Sequence, residues 1–416
     1  MIRFFTSSIS LKWIIIVSVL LAFPIEASAA RPGSGDSKEP PRSEKSKKTS
    51  PTPAPTPVPT PEPTAAPDPS DGTSILDDSG VSEAPIEPVD IRIVIVAKDG
   101  SGNYKSIQSA LNNARPGDTI QVKDGIYAER VNFVKSGTAD KPIALVNYPG
   151  HAPVIDPGNG KYPTDCCPSS GTPRVEFNAE WVMIRGFEIR YGWEGVKVYS
   201  KHITIEDNWI HHNKYAGIVV VSTSDVLVRG NVVEKNGIDP DACPSGKQCH
   251  GIYISDYLCK GARNNIIRNN VIKDNPGMGI NFNGSFCNRG ITGTIVEGNE
   301  LINNSWGIAL FYNVRDSRFR NNRLSVSSHP KTNHTDFTHF GIWGSKNNLF
   351  HNNIFISIIP GYQPIMIFDK DSENQDVDGN IWSTKEEGWM WGGKELGSFK
   401  SIYKKTTGWD ENGTIR

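Results

Sequence analysis

The chain has 416 residues, and its 44 lysines and arginines nearly balance its 45 aspartates and glutamates. The basic residues are dispersed, which argues against nucleic acid as a partner, because such binding needs a concentrated basic face. The length is enough for one large repetitive β domain and does not demand two.

Residues 1–30 have the pattern of an export signal. Arg3 and Lys12 supply positive charge, residues 13–23 form an apolar run, and Ala-Ser-Ala at 27–29 is typical of a cleavage site. The run is shorter than the about 20 residues that span a bilayer, so we expect no membrane span once the signal is removed. We expect the protein to be secreted or extracellular, and association with a cell surface stays open.

Residues 31–90 cannot build a core. A proline-threonine tract from Pro51 to Pro69 holds the backbone near the extended, solvated polyproline II conformation. We interpret this segment as a disordered linker and residues 91–416 as the folded domain.

An internal repeat indicates the fold of this domain. One frame is an asparagine with an apolar residue three positions before it and another two positions after it, at Asn208, Asn231, Asn270, Asn299, Asn322 and Asn353. The other is a glycine that leads alternating apolar residues, at Gly195, Gly217, Gly251, Gly279, Gly307 and Gly341. A repeat of about 22 residues is too small to bury its own apolar side chains, so the coils must stack. The sequence therefore predicts an all-β parallel β-helix in which each asparagine donates to one neighbouring coil and accepts from the other.

The two ends of the predicted stack differ in sequence. Residues 104–114 have helical periodicity and end at Arg115-Pro116-Gly117, which predicts a helix that caps the open N-terminal end. The less regular C-terminal tail is expected to cover the other end, and its tryptophans are Trp382, Trp389, Trp391 and Trp409.

Six cysteines fit an oxidising compartment. Cys259 and Cys287 each lie eight residues after a frame glycine, so they should be stacked neighbours that form a disulfide. The other four allow three pairings, among which the sequence does not choose; they are Cys166, Cys167, Cys243 and Cys249.

Several segments resemble carbohydrate-active families. The two frames look like the repeats of the pectate-lyase-like superfamily across residues 91–382. Residues 99–104 (Asp-Gly-Ser-Gly-Asn-Tyr) resemble the start of pectin methylesterases, and residues 250–255 (His-Gly-Ile-Tyr-Ile-Ser) are similar to a segment of alginate C5-epimerases. The later motifs of the pectin methylesterases do not occur. The epimerases carry Asp-Pro-His-Asp in the preceding coil and an arginine after the serine, whereas this sequence has Gly-Ile-Val-Val-Val at 217–221 and Asp256. The resemblance implies a single-stranded right-handed parallel β-helix that acts on polysaccharides, without choosing the reaction.

Alternation along the glycine-led strands sorts side chains between the core and an outer face. The two predicted outward columns are Lys197, Val219, Tyr253, Asn281, Ala309 and Trp343, then Tyr199, Val221, Ser255, Asn283, Phe311 and Ser345. Aligned aromatic rings on such a face suit stacking on pyranose rings. The predicted substrate-binding residues are Tyr199, Tyr253, Asp256, Asn281, Asn283, Phe311 and Trp343.

Lys197 and His250 are the candidate catalytic residues. Cleavage of a uronic-acid glycan by β-elimination needs a base that removes the proton beside the carboxylate and a cation that stabilises the developing enolate. A partly desolvated lysine can act as this base, and histidine transfers protons readily near neutral pH. The competing interpretations are a solvated surface lysine, a hydrogen-bonded turn histidine and, at Asp256, a turn cap.

The sequence gives no clear metal site. His211 and His212 are neighbours in a strand, so their side chains should point to opposite faces. Asp239 and Asp241 could contribute to calcium binding, but oxygen-rich sites need more ligands than these. The cofactor requirement therefore stays unknown, with calcium open.

These features lead to three hypotheses about function. The first is a secreted polysaccharide lyase that cleaves an acidic glycan by β-elimination, and the second is a non-catalytic extracellular glycan-binding or adhesive protein. The third is a glycoside hydrolase, which needs two carboxyl groups across the scissile bond, whereas the predicted columns contain none. In each case the partner is a polysaccharide, and we expect a monomer.

Overall fold

The computed structural model describes residues 91–164, 174–239, 249–284, 287–326, 338–357, 365–368, 371–382, 388–391, 394–395 and 414–415. All of them belong to one structural unit, Ala84–Arg416. The predicted signal (1–30) and linker (31–90) lie outside the described residues, so both stay predictions.

Short strands follow one another in a fixed order and build three stacked sheets. Sheet 1 consists of β4 (Val131–Phe133), β7 (Val175–Phe177), β10 (Glu194–Val198), β13 (Ala216–Val221), β16 (Ile252–Ser255), β20 (Met278–Asn283), β24 (Trp306–Phe311), β28 (Thr338–Trp343), β31 (Ile365–Phe368), β34 (Gly388–Trp391) and β35 (Lys394–Glu395). Sheet 2 consists of β1 (Ile93–Val96), β2 (Thr119–Val122), β5 (Ile143–Asn147), β8 (Val182–Arg185), β11 (Ile203–Glu206), β14 (Val226–Arg229), β18 (Ile266–Arg268), β22 (Ile295–Glu297), β26 (Arg318–Arg320), β29 (Leu349–His351) and β32 (Asp376–Asp378). Sheet 3 consists of β3 (Ile126–Tyr127), β6 (Val154–Ile155), β9 (Glu188–Arg190), β12 (Trp209–His211), β15 (Val232–Glu234), β19 (Val271–Lys273), β23 (Glu300–Ile302), β27 (Arg323–Val326), β30 (Ile354–Ser357), β33 (Ile381–Trp382) and β36 (Thr414–Ile415). A small fourth sheet contains β17 (Ala262–Arg263), β21 (Ile291–Thr292) and β25 (Val314–Arg315).

Each coil crosses sheet 1, sheet 2 and sheet 3 in turn, as β10, β11 and β12 do before β13 returns to sheet 1. Neighbouring strands pair in parallel, as β10 does with β13, whereas β34 and β35 pair antiparallel. The inward side chains form one apolar core along the stack. On sheet 1 its fully buried members include Val196, Ile218, Ile252, Ile280 and Ile308. This topology confirms the predicted all-β parallel β-helix.

The predicted asparagine frame forms a ladder at the turn between sheet 2 and sheet 3. Nδ2 of Asn231 donates to Oδ1 of Asn270 at 3.0 Å, and Oδ1 of Asn231 accepts from Nδ2 of Asn208 at 3.0 Å. The ladder continues to Asn380, one coil beyond the predicted frame. The residue before each ladder asparagine has a left-handed backbone, as at Asp207 (φ 52°), which explains why aspartate, asparagine or glycine occupies that position.

Close contacts between coils explain why glycine recurs at the frame positions. A Cβ on Gly217 would lie 2.7 Å from the carbonyl oxygen of Gly251 and 2.4 Å from Cγ1 of Val233. A second asparagine ladder, which the sequence analysis missed, runs beside the glycines, and Nδ2 of Asn213 donates to Oδ1 of Asn236 at 2.9 Å. The members of this ladder are Asn213, Asn236, Asn275 and Asn304.

Strand β28 departs from the predicted glycine frame. Gly341 pairs with Ala309 rather than continuing the column of Gly307. Burial of apolar side chains explains this register, because it places Phe340 and Ile342 in the core, where both are fully buried. The predicted register is therefore wrong by two residues in this coil.

Helix α1 (Ile107–Asn112) lies within the segment predicted as helical, 104–114, but is shorter. Its N-cap is Ser106, whose Oγ accepts from the backbone N–H of Ser109 at 3.3 Å. Its buried residues are Ile107, Ala110 and Leu111, which join the main core. Within the described ranges, no helix combines the length and the hydropathy needed to cross a membrane.

The described part of the C-terminal tail extends the sheets. Trp382 lies in β33, and Trp389 and Trp391 lie in β34, so these tryptophans belong to strands near the C-terminal edges of sheets 3 and 1, and cover of this end by the tail stays a prediction. Trp409 lies outside the described residues.

Cys259 and Cys287 form the predicted disulfide, with their Cα atoms 5.1 Å apart. Cys249 is also disulfide-bonded. Cys166, Cys167 and Cys243 lie outside the described residues, so the remaining pairings stay open.

Candidate functional site

The outer face of sheet 1 carries the predicted columns with a changed C-terminal end. Backbone pairing places Glu176, Lys197, Val219, Tyr253, Asn281, Ala309 and Gly341 in the first column. The second column contains Val221, Ser255, Asn283, Phe311 and Trp343. The predicted first-column place of Trp343 is therefore wrong, since it pairs with Phe311. Ser345 lies beyond the strand and is fully buried, and Tyr199 directly follows β10 and is 36% exposed.

This face is less exposed than alternation predicts. Val219 and Asn281 are only 4% and 5% exposed. Val219 packs with Tyr215 and Tyr253 in a small apolar cluster that is separate from the main core. Large side chains of the face and of the turn before β13 cover part of the sheet, so an outward position does not ensure contact with solvent.

A network of five charged side chains lies toward the N-terminal end of the face; they are Arg130, Arg174, Glu176, Glu194 and Lys197. Arg174 bridges the two carboxylates, with Nη1 2.6 Å from Oε2 of Glu194 and Nε 3.1 Å from Oε2 of Glu176. Nη2 of Arg130 donates to the same Glu176 oxygen at 2.7 Å. Three cations thus face two carboxylates, and the excess of one positive charge would attract an anionic ligand.

Lys197 is not the solvated surface lysine of the competing interpretation. Its side chain is 13% exposed, and its Nζ lies 2.6 Å from Oε1 of Glu194, which is itself 3% exposed. The same Nζ lies 5.7 Å from the centre of the Tyr199 ring. Lys197 is therefore held in a partly desolvated ion pair at the edge of the network.

Glu176 is a carboxylate in the first column, which the sequence analysis had counted as free of carboxyl groups. Burial alone would raise the pKa of Glu176, but hydrogen bonds from Asn178, Arg130 and Arg174 outweigh burial and bring the pKa below its ordinary value. A carboxyl group that stays ionised is poorly suited to protonate a leaving group. Glu176 is therefore poorly suited to act as the general acid of a hydrolase.

His250 precedes β16 and is 3% exposed. Its Nδ1 accepts from the backbone N–H of Met278 at 3.2 Å, which leaves the ring proton on Nε2. Nδ2 of Asn281 lies 2.9 Å from Nε2, and because Nε2 carries the ring proton, the amide must be turned so that its oxygen accepts that proton. Burial lowers the pKa of His250 to about 3. Both ring nitrogens thus bind protein groups, which favours the interpretation as a hydrogen-bonded turn residue.

Asp256 directly follows β16 and is fully buried. Its Oδ1 accepts from the backbone N–H of Gly261 at 2.8 Å, as expected of a turn cap. The backbone N–H of Asp256 donates to the carbonyl of Asn283 at 2.9 Å. Contact of Asp256 or Asn283 with a substrate stays a prediction.

Three aromatic rings gather on the outer face of β24 and β28, and we call Trp306, Phe311 and Trp343 the aromatic platform. The centroids of Phe311 and Trp343 lie 4.8 Å apart with planes 11° apart, and those of Trp306 and Trp343 lie 5.4 Å apart with planes 18° apart. All three side chains are partly exposed. The sequence analysis missed Trp306 because it precedes the frame glycine Gly307 and so falls outside the two predicted columns.

The rings of His211 and His212 meet, which corrects the expectation that they point to opposite faces. Their Nδ1 atoms lie 2.6 Å apart, because the strand ends at His211 and His212 has a left-handed backbone (φ 51°). Burial lowers the pKa of each ring. No group of three or more histidine, cysteine, aspartate or glutamate side chains within the described ranges could hold a metal ion. Of the two suggested calcium ligands, Asp239 lies 3.7 Å from Nζ of Lys214, and Asp241 falls in 240–248, which is not described.

A match to one family model agrees with this architecture. Residues 97–251 match the family model described as Pel9A-like, right handed beta helix region, which confirms the predicted pectate-lyase-like right-handed parallel β-helix. A solved structure of pectate lyase Pel9A is 16% identical, with a TM-score of 0.41, over 70% of this chain and 79% of that one. An alginate lyase from Paenibacillus sp. str. FPU-7 is 17% identical, with a TM-score of 0.45, over 72% of this chain and 97% of that one. No curated protein matches the sequence.

Proposed function

We propose that the protein is a secreted polysaccharide lyase that cleaves a uronic-acid-containing glycan by β-elimination. The observation that carries this proposal is the charge network, in which a mostly buried lysine contacts a carboxylate within an excess of positive charge. β-Elimination needs a proton acceptor and cations around one uronate residue, and the network supplies both kinds of group.

Lys197 can serve both proton transfers of this reaction. In its neutral form the amine would remove the proton beside the substrate carboxylate, while the nearby Arg174 stabilises the enolate. As the bond to the leaving oxygen breaks and the sugar double bond forms, the Lys197 ammonium gives this proton to that oxygen and returns to its starting state. Glu194 contacts both Arg174 and Lys197 and so holds the Lys197 side chain in place.

The other predicted residues have supporting roles in this proposal. His250 positions Asn281 through its ring proton, since neither of its nitrogens is open to a substrate. Tyr199 and Tyr253 border the network on the outer face and supply ring surface for the sugar. At the N-terminal end, α1 caps the stack, and its packing on the first strands supports that role.

A non-catalytic glycan-binding protein is the second candidate. Two observations favour it: each charged side chain of the network already contacts an oppositely charged one, and the aromatic platform can bind sugars without any chemistry. If the charge network takes part in no proton transfer, it would bind an acidic glycan through its positive charge and leave the glycan uncleaved.

A panel of polyuronates tests the proposed function. The mature protein should raise ultraviolet absorbance on at least one of them, because β-elimination creates an unsaturated sugar end. Lys273→Ala is the matched control for Lys197→Ala, because Lys273 also pairs with a glutamate (Nζ to Oε2 of Glu234, 3.0 Å) but lies on sheet 3. Folded protein that binds a polyuronate without any rise in absorbance would support the second candidate instead.

A further inference from the structure

We propose that the aromatic platform is a subsite for an uncharged pyranose residue and that Gly341 is the residue that positions the Trp343 ring. This inference rests on the proposed function in taking a glycan as the ligand, and it adds the chemical class of a second sugar in that glycan. Neither Gly341 nor Trp306 entered the predicted binding surface.

The three rings form one stack with nearly parallel planes, in which Trp343 overlaps the other two rings and each ring keeps part of its surface exposed. Their planes differ by 11° for Phe311 with Trp343, by 18° for Trp306 with Trp343 and by 25° for Trp306 with Phe311. A pyranose presents its axial C–H groups as a flat apolar face, which packs on ring surfaces of this kind. The rings come from two neighbouring coils, so the surface extends along the stack axis, as a bound glycan chain would require.

Gly341 makes room for the Trp343 ring. A Cβ on Gly341 would lie 2.3 Å from Cζ3 and 2.5 Å from Cη2 of Trp343, and 3.3 Å from Cζ3 of Trp306. Gly341 is not among the left-handed glycines, so its backbone conformation does not demand glycine. Space for the Trp343 ring is therefore the reason for glycine at this position, and any side chain there would displace the ring.

The surroundings of the platform favour an uncharged sugar. Besides Trp306, the two columns on β20, β24 and β28 contain only uncharged residues, and they are Asn281, Asn283, Ala309, Phe311, Gly341 and Trp343. A carboxylate desolvated on this surface would lack a cationic partner among them, which is costly.

The charge network lies at the other end of the same face. Lys197 is on β10, and Phe311 is four strands further along sheet 1, about 19 Å away at about 4.8 Å per strand. One glycan chain along the face would therefore place an acidic sugar at Lys197 and a neutral sugar at the platform. The ligand expected from this arrangement is a heteropolysaccharide that contains both kinds of residue.

Calorimetric titration of the mature protein with soluble oligosaccharides of glucose, galactose, mannose and xylose tests the subsite. We expect at least one of these probes to bind, and Trp343→Ala to raise its Kd about fivefold. Gly341→Ala should raise the Kd by a similar factor although it removes no ring. The double variant should bind no more weakly than Trp343→Ala alone, because the ring that Gly341 accommodates is already absent. Trp209→Ala is the matched control, since Trp209 is 44% exposed on sheet 3, and it should bind as the wild type does.

The possible results separate this inference from the proposed function. Binding of none of the four probes, or wild-type Kd values for Trp343→Ala, would overturn the subsite even if polyuronates are cleaved. Loss of binding in Trp343→Ala with wild-type binding in Gly341→Ala would overturn the role of Gly341. Binding of a neutral probe that depends on Trp343, without turnover of any polyuronate, would overturn the lyase and support the subsite. If Gly341→Ala does not fold, Trp343→Ala alone tests the subsite. The positioning role of Gly341 is then tested by the double variant, which should fold because the ring that a Cβ at position 341 would meet is absent.

Discussion

The asparagine ladder should be a major source of stability, and Asn270→Ala tests it at a central step. The Asn270 side chain makes five hydrogen bonds in the structure. Oδ1 accepts from the backbone N–H of Asn231 at 2.9 Å and from its Nδ2 at 3.0 Å. Nδ2 donates to the carbonyls of Val228 (3.0 Å) and Arg268 (3.1 Å) and to Oδ1 of Asn299 (2.9 Å).

The expected loss of stability follows from which partners are left without a bond. Nδ2 of Asn231 still donates to the carbonyls of Ile205 and Arg229, and Oδ1 of Asn299 still accepts from the backbone N–H of Asn270. The backbone N–H of Asn231 is buried and loses its acceptor, which costs about 1–3 kcal/mol. With the loss of the other bonds, we expect Asn270→Ala to lower the free energy of unfolding by about 3 kcal/mol.

Urea unfolding of the mature protein, followed by circular dichroism, measures this loss. The midpoint should fall while the slope with denaturant stays unchanged. Asn112→Ala is the control, because Asn112 is exposed at the end of α1 and should change stability by less than about 0.5 kcal/mol. Asn270→Asp should destabilise more at neutral than at acid pH, because an ionised carboxylate would face the Val228 and Arg268 carbonyls. If Asn270→Ala is as stable as Asn112→Ala, the ladder does not hold the stack together.

Three further predictions concern catalysis, covalent structure and pH. Lys197→Ala should lower turnover of a polyuronate by about 100-fold or more in the ultraviolet assay, whereas Lys273→Ala should keep it, and equal rates for the two variants would place the chemistry elsewhere. Peptide mapping without reduction should recover Cys259 linked to Cys287, and a free thiol at either position would contradict the register of these coils. Burial lowers the pKa of His250 to about 3, so His250 stays neutral in the folded protein. In the unfolded protein His250 takes up a proton below its ordinary pKa near 6.5. The free energy of unfolding should therefore fall with falling pH, by about 2 kcal/mol at pH 5 from this residue. His339, whose pKa burial lowers to about 4, should contribute similarly. Urea unfolding at several pH values should therefore show that His250→Asn removes about half of the stability that the two histidines cost at pH 5. An unchanged pH dependence in this variant would show that His250 is not buried and neutral.

Periodic features of this fold could be predicted from the sequence, because their spacing reflects stacking. The ladder through Asn231 and Asn270 and the disulfide of Cys259 with Cys287 both follow from residues that recur at the same place in each coil. The register of β28 could not be predicted, because Gly341 resembles a frame glycine while in fact it accommodates an aromatic ring.

The candidate site was harder to predict, because its members occupy positions that no repeat marks. Glu176 lies on β7, before the first frame glycine, so no column led to it. The contact of His211 with His212 depends on one left-handed residue at a strand end, which alternation does not show. The ion pair of Lys197 with Glu194 and the burial of His250 depend on side-chain packing between coils, which spacing alone does not specify.

The proposed elimination is tested most directly by letting the protein cleave a polyuronate substrate in water enriched in heavy oxygen. β-Elimination breaks the glycosidic bond without adding water, so mass spectrometry of the products made by the wild-type protein should show unsaturated sugars that carry no heavy oxygen. Hydrolysis would instead place one heavy oxygen at each new reducing end. Saturated products with that label would contradict the lyase and the role proposed for Lys197.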